Sequence, residues 1–522
     1  MPEASTEIIF DRLAHWAQSR PDDIAVQFQG AEYTWSQWHN RILRIAGALT
    51  KLGIGSGDTV AFIDKNHLSC LEVTYAASLL GAANAIPNWR LAGEELVYVI
   101  NDSRARILFV GHEFLQDVTP LRDQLTYVER IIVVGGDHDE FEPWMQDGPA
   151  AILEDGPAAT AEATALILYS SGTTGRPKGV QLTHRNLIAH SEANLEVLNA
   201  SRDDCLLVAM PLFHVGGTCY AIMGIHAGTR GHFTREADAP SLFAALAAGA
   251  NMAFLVPPVI AGVLAAGEQA IAAFGALDRI IYGAAPMPLP LLRSALAAWP
   301  KTEFVQVYGM TELSGVVTAL LPEVHRDETQ EMRMGSAGRP MPGIEMRIVD
   351  PATSQDVPPG KTGELWWRTQ QRTPGYLGKP EATAEAITAD GWLRSGDIGR
   401  VDDEGFVFIE DRLKDMIITG GENVYSPEVE RVLVEHPAVA EVAVIGVPDD
   451  QWGEAVKAIV VPVSGATVDP DELIAYTRQY LAKFKCPKTI DIVDLLPRNP
   501  TGKILKRQLR APYWEDRSRN LV

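Results

Sequence analysis

The chain has 522 residues, too many for one hydrophobic core, and its length points to roughly three or four structural units. Hydrophobic residues make up 46% and charged residues 21%, as in ordinary globular proteins. The net charge of −22, from 45 basic and 67 acidic side chains, argues against a nucleic-acid partner, because that affinity rests on neutralising phosphates with Lys and Arg. Any anionic ligand must be held by local donors.

The N-terminal stretch MPEASTEIIFDRLAHW carries Glu3 and Glu7 and lacks a basic segment followed by an apolar core. No signal peptide is expected, and a reducing, cytoplasmic setting is. Cys70, Cys205, Cys219 and Cys486 are scattered without C-x-x-C spacing, so neither a zinc site nor a disulfide framework is expected. Apolar runs of strand length then alternate with helical stretches: DTVAFI, LEVTYAASLL, ARILFV, RIIVVG, ALILYS, RNLIAHSEANLEVL, MAFLVP, DRIIYG, PLLRSALAAW, EFVQVYG. This βα rhythm predicts an α/β fold of parallel sheets covered by helices, with ligands beyond the carboxyl ends of the strands.

Residues 165–183, ALILYSSGTTGRPKGVQLT, hold the densest chemistry. Ser170, Ser171, Gly172, Thr173, Thr174, Gly175, Arg176, Pro177, Lys178 and Gly179 form a loop rich in hydroxyl and backbone N–H donors, which suits a polyphosphate. It is not a Walker A loop: Pro177 precedes Lys178, Gly179 follows it, and the chain re-enters a β-type run at Val180. The loop should join two strands.

The segment from Phe243 to Gly267 has only Asn251 as a polar side chain and is long enough to span a bilayer. It is rich in Ala and Gly, and Pro257 and Pro258 sit near its centre as helix breakers. The expectation is a short helix, a strand around Met252 to Val256 and a helix from Val259, with no transmembrane segment; peripheral membrane contact and oligomeric state stay open.

After residue 344 the texture turns to strands and turns: IEMRIVD, GELWWRT and GFVFIED, punctuated by Pro358, Pro359, Gly360 and Pro374. A small β-rich subdomain is expected over residues 344–411. The charged connection Asp411 to Asp415 follows, and then a second β/α pattern with MIITGG, SPEVERVLVEH, VAEVAVIGV and AVKAIVVPV. A helix should start beyond Asp469, which can cap while Pro470 takes the first helical position.

Six more segments follow the hydroxyl loop in order: PLFHVGGT at 211–218, YGAAP at 282–286, YGMTE at 308–312, WLRSGD at 392–397, DRLKDMIITGGENVYSPEVE at 411–430 and RNPTGK at 498–503. Together the seven strings resemble the adenylate-forming superfamily of acyl-CoA synthetases, nonribosomal-peptide adenylation domains and luciferases, from about residue 10 to residue 511. The resemblance implies an N-terminal AMP- and acyl-binding domain over residues 1–413, a mobile α+β catalytic domain over 414–522 and a hinge at Lys414. It implies ATP, Mg²⁺ and coenzyme A as co-substrates and cofactor, and a reaction in two steps. A carboxylate attacks the α-phosphorus of ATP to give an acyl-AMP and pyrophosphate, and a thiol then displaces AMP. The first step gathers anionic groups around one phosphorus, so catalysis must be charge stabilisation and positioning.

By the same resemblance, residues Ser170 to Lys178 hold the β- and γ-phosphates. Tyr308 stacks on adenine, while Gly283, Ala284, Ala285 and Pro286 line the base and ribose pocket, and Gly309 and Met310 adjoin it. Thr311 bonds the α-phosphate and Glu312 binds Mg²⁺ as a hard oxygen ligand. Asp397 accepts from the ribose hydroxyls, and Arg412 reaches ribose or phosphate. Lys503 bridges the carboxylate and α-phosphate. Rotation about Lys414 withdraws it and presents Gly420, Gly421, Glu422 and Asn423 to the acyl-AMP, where glycine admits the pantetheine thiol. His214 reads either as an interior histidine or as a gate of the thiol tunnel. One departure stands out: relatives carry a Gly shortly after the GEL triplet, where this chain has Trp366, Trp367, Arg368 and Thr369.

Amino-acid activation is disfavoured, since His214, Val215, Gly216 and Gly217 occupy the slot where an Asp would hold a substrate amine. The acyl pocket would be lined by Gly216, Gly217, Val256, Pro257, Val259, Gly309, Val316 and Val317, all small or apolar. That lining favours a medium- or long-chain fatty acid transferred to coenzyme A, with aryl acids such as cinnamates, or a luciferase-like adenylating oxygenase, as the alternatives.

Overall fold

The computed structural model describes residues 7–150, 159–170, 176–498 and 504–515. Two largely parallel sheets form the larger part. The first has nine strands in the order Arg339–Pro340, Gly315–Leu320, Glu303–Met310, Arg279–Gly283, Met252–Leu255, Cys205–Val208, Arg230–Phe233, Ile24–Phe28 and Ala31–Thr34. Only its outer pairings are antiparallel. The second has six, in the order Arg130–Val134, Ile107–Gly111, Thr59–Ile63, Ala83–Ile86, Thr164–Ser170 and Lys178–Thr183. Helices cover both faces, so strands such as TVAFI and ILFVG are apolar and buried at every position. Helix Leu68–Leu79 is also buried throughout and has no exposed polar face; its one charged residue, Glu72, is paired with Arg41.

Strands Thr164–Ser170 and Lys178–Thr183 pair antiparallel, with Ser170 opposite Lys178. The hydroxyl-rich loop therefore joins two strands, as its sequence requires. Thr183 ends the second strand and caps helix His184–Leu198 through a reciprocal pair with Asn186.

The alanine-rich segment resolves into helix Ala239–Ala247, strand Met252–Leu255 and helix Pro257–Ala265. The last helix starts at Pro257, not at Val259. The first N–H groups of a helix have no intrahelical partner, so proline costs little there. No helix among the described residues is long and apolar enough to cross a membrane.

The β-rich part is a four-stranded antiparallel sheet of Glu345–Val349, Gly363–Arg368, Leu393–Val401 and Val407–Arg412. Leu365 and Trp367 pack with Leu313 and Val317, so this sheet supports the turn of the YGMTE segment from below. Trp366 and Trp367, directly after the GEL triplet, lie in the strand Gly363–Arg368, both buried.

The smaller C-terminal unit has a five-stranded sheet of Glu422–Val424, Ile417–Thr419, Gly453–Pro462, Val439–Asp449 and Thr489–Ile492. Helices Ser426–Val434, Pro470–Thr477 and Lys506–Trp514 accompany it. Asp469 caps the second of these, accepting from the Asp471 N–H at 2.9 Å.

Candidate active site

Gly283 to Pro286 and Tyr308 to Glu312 leave the carboxyl ends of adjacent parallel strands, with Gly283 opposite Val307. Gly283 is buried, Ala285 is half-buried, and Ala284 and Pro286 are exposed. Ala284 has φ of +63°, a conformation that alanine adopts only under local strain, and such strain concentrates at functional turns. Gly309 permits a close approach: a Cβ there would lie 1.7 Å from the Gly315 carbonyl oxygen.

Three predicted side chains meet in one chain of contacts. The Tyr308 hydroxyl donates to Asp397 Oδ2 at 2.5 Å, and Arg412 Nε lies 2.5 Å from Asp397 Oδ1. Asp397 and Arg412 face each other across paired strands. Burial and then Asp397 push the Tyr308 hydroxyl well above its ordinary pKa, so it stays a donor. Asp397 raises the Arg412 pKa further. A carboxylate has about four acceptor positions, which leaves room here for ribose hydroxyls.

Glu312 is buried, and its Oε1 accepts from the Tyr376 hydroxyl at 3.0 Å and from Ser170 Oγ at 3.4 Å. Its carbonyl accepts from the Thr373 N–H at 2.8 Å. Segment 373–377 is sewn to the strand leaving the hydroxyl loop: Leu377 N–H donates to Gly179 O at 2.8 Å and Gln181 N–H to Gly375 O at 3.2 Å. Lys178 Nζ sits 4.9 Å from the centre of the Tyr376 ring. Ser171, Gly172, Thr173, Thr174, Gly175 and Lys503 lie outside the described residues.

Among the described residues no group of three or more His, Cys, Asp or Glu could cage a metal. A lone buried carboxylate held by neutral hydroxyls fits Mg²⁺, which keeps waters and shares phosphate oxygens with its nucleotide. Thr311 opens the short turn Thr311–Leu313 directly before Glu312, while Gly309 and Met310 close the strand.

On the acyl side, His214 caps helix Val215–Ala227, its Nδ1 accepting from the Gly216 N–H at 3.0 Å. That bond supports the reading as a satisfied histidine. A Cβ on Gly217 would lie 2.2 Å from the Pro211 carbonyl oxygen, so this glycine lets the helix close onto the preceding turn. Gly216 faces the Phe254 ring, with a Cβ there 3.0 Å from it. Val256 caps helix Pro257–Ala265, Pro257 is buried, and Val316 stands opposite Gly309. Val256 and Val316 pack on the same core cluster as Phe254.

Gly420 and Gly421 form the two-residue turn between Ile417–Thr419 and Glu422–Val424, with φ of +60° and +85°. A hairpin turn of that hand requires glycine or asparagine, so the fold itself explains both. Trp452 covers Gly420, accepting its N–H at 2.8 Å, whereas Gly421 faces open space. Burial lowers the Lys414 pKa.

Two features were missed by sequence reasoning. One is the Tyr376 hydroxyl on Glu312. The other is a polar network across the connection to the C-terminal unit: Asp411 Oδ2 accepts from Ser426 N–H at 2.7 Å and Ser426 Oγ at 2.8 Å. Lys506 reaches Ser426 and Glu430, and Arg510 pairs with Asp415 at 2.7 Å while donating to the Lys414 carbonyl. The spacing of Lys506 and Arg510, one helical turn apart, was the available signal.

The AMP-binding enzyme family matches residues 13–377, and the AMP-binding enzyme C-terminal domain matches residues 428–503. The chain is 36% identical to a fatty acid–[acyl-carrier-protein] ligase, ScoC, of Streptomyces coeruleorubidus, covering 97% of this chain and 96% of the relative. It is 36% identical to a feruloyl-CoA synthase of an Amycolatopsis species, covering 95% and 97%. Among solved structures, o-succinylbenzoate CoA synthetase of Bacillus subtilis in complex with its acyl-adenylate intermediate superposes with a TM-score of 0.84 at 28% identity, over 99% and 100% of the two chains. The protein belongs to the AMP-binding enzyme family and is an ATP-dependent, AMP-forming acid–CoA ligase that works with Mg²⁺.

Proposed function

We propose that the acid is a medium- or long-chain fatty acid, activated as its adenylate and passed to coenzyme A. The observation that carries the choice of acid is the similarity, over nearly the whole chain, to a ligase named for fatty acids, whose named acceptor is an acyl-carrier protein rather than coenzyme A. The small, apolar residues Gly216, Val256 and Val316, of which Val316 stands opposite Gly309, support it, since small linings leave room for a chain. The feruloyl-CoA synthase at equal identity favours an aryl acid as the second reading.

In this proposal Ser170 and Lys178 flank the loop that grips the leaving pyrophosphate. Glu312 would hold Mg²⁺, which neutralises phosphate charge during displacement. Tyr308, Asp397 and Arg412 fix the nucleoside, and Thr311 donates to the α-phosphate. Lys503 supplies a positive charge between the incoming carboxylate and phosphorus, and is withdrawn by rotation at Lys414. The Gly420–Gly421 hairpin then approaches the acyl-AMP from the C-terminal unit, and His214 at its helix cap borders the thiol path.

A screen of straight-chain alkanoic acids of increasing length against cinnamic acids, read as AMP release with and without coenzyme A, tests the reading. CoA-dependent release with alkanoic acids is expected. Release with cinnamic acids alone moves the assignment to the aryl reading.

A further inference from the structure

The two strands that flank the hydroxyl-rich loop are fastened by one face of helix Gly93–Ser103. Tyr98 and Asp102 stand four residues apart on that helix and so share the face. The Tyr98 hydroxyl donates to the Pro177 carbonyl at 3.1 Å, and the Arg176 guanidinium lies 4.9 Å from the centre of the Tyr98 ring. Asp102 takes the other strand. Its Oδ2 accepts from the Tyr169 hydroxyl at 3.1 Å, and its Oδ1 accepts from Lys379 Nζ at 2.6 Å. The Asp102 side chain is only 9% exposed, so water screens these bonds little. Burial, and then the Asp102 charge, push the Tyr169 pKa up, and the hydroxyl stays a donor.

The contacts reach the candidate site through the chain. Tyr169 directly precedes Ser170, whose Oγ donates to Glu312, and successive side chains on a strand point to opposite faces. Fixing Tyr169 on Asp102 therefore aims Ser170 at Glu312. The Tyr169 ring also crosses to the second strand: a Cβ on Gly179 would lie 3.2 Å from its hydroxyl oxygen, so the glycine after Lys178 leaves the space that the ring uses. On the third side, the Lys379 N–H donates to the Tyr376 carbonyl at 3.2 Å, and Tyr376 carries the hydroxyl that reaches Glu312. One carboxylate thus ties the strand entering the loop to the segment that holds Glu312.

We propose that Asp102 and Tyr98 are positioning residues for adenylation, which set Ser170 and Lys178 where the two leaving phosphate groups must be held. This rests on the reading of the loop between those residues as the pyrophosphate grip. Asp102 acts on Ser170 through Tyr169 and on Tyr376 through Lys379. Tyr98 acts on Lys178 through the carbonyl of Pro177.

The test compares equilibrium binding of ATP with Mg²⁺ and of AMP to the full chain, because AMP lacks the two phosphates concerned. Asp102→Asn should weaken ATP binding by about 10-fold, as expected for hydrogen bonds to a charged group, and leave AMP binding unchanged. Tyr98→Phe and Lys379→Met should each weaken ATP by about 3-fold without affecting AMP, and Lys379→Arg, which keeps the cation, should restore most of the loss. Tyr98 and Lys379 are half-buried, so their variants decide the outcome even if Asp102→Asn fails to fold. Equal weakening of ATP and AMP would mean that the network serves only the fold, and it overturns the proposal. Lys178→Met separates the underlying reading. If it spares ATP binding, the loop is not the pyrophosphate grip and the brace falls with it. If it weakens ATP while the Asp102, Tyr98 and Lys379 variants do not, the grip stands and the brace alone is overturned.

Discussion

Glu312 accepts on Oε1 from two neutral hydroxyls, those of Tyr376 and Ser170, and its charge also acts on Arg412. Hydrogen bonds to charged groups contribute about 1.5–3 kcal/mol. Tyr376→Phe removes the better of the two without changing the packing of the ring. It should lower kcat/KM for ATP in pyrophosphate exchange by about 10-fold or more, with part of the loss recovered by excess Mg²⁺. Unchanged exchange would mean that the hydroxyl serves only the fold. Glu312, Asp397 and Arg412 were legible in the sequence because short motifs carry them. Tyr376 was not, because its bond to Glu312 spans 64 positions and exists only once segment 373–377 docks on the Lys178–Thr183 strand.

Between the two parts of the chain, strand Val407–Arg412 carries Asp411 at its penultimate position, and helix Ser426–Val434 begins on that carboxylate. Burial pushes the Asp411 carboxyl up to about 6, against the opposing pull of Lys506. Burial also opposes the Lys506 charge, but Glu430 and Asp411 hold that lysine protonated. The raised Asp411 value means that the folded protein binds the proton more tightly than the unfolded chain between 3.8 and about 6. Through that window this group lowers stability as pH rises, by up to about 3 kcal/mol in all, and the loss is complete above it. Asp411→Asn keeps an acceptor for the Ser426 N–H and removes the titration. Urea unfolding should therefore show that the wild type loses more stability than Asp411→Asn between about pH 4 and about pH 7; parallel pH profiles would contradict it. At this scale most strands and helices were legible, since apolar runs and caps mark them locally. Sheet order was not. Ile24–Phe28 pairs parallel with Arg230–Phe233, a contact that no local period encodes.

Taken over the whole molecule, the proposed function gives one adenylate two chemistries, with Lys503 for its formation and the Gly420–Gly421 hairpin for its consumption. The two assignments make opposite demands on variants. Lys503→Ala should abolish pyrophosphate exchange, because the charge between carboxylate and α-phosphate is gone, yet convert supplied acyl-AMP to acyl-CoA at near wild-type rates. Gly421→Leu should do the reverse. A side chain at Gly421 meets nothing within 4 Å in this structure, although the φ of +85° adds strain, on the order of 1–2 kcal/mol. The exposed hairpin can absorb that strain without loss of the adenylating site, so the added bulk should act only where the thiol must pass. Pyrophosphate exchange should then persist while acyl-AMP accumulates and acyl-CoA does not form. Mixing the two variants offers a direct check: adenylate released by Gly421→Leu should be consumed by Lys503→Ala, restoring acyl-CoA in the mixture. Parallel loss of both half-reactions in each variant would place Lys503 and Gly421 in one common pose and remove the rotation at Lys414 from the mechanism.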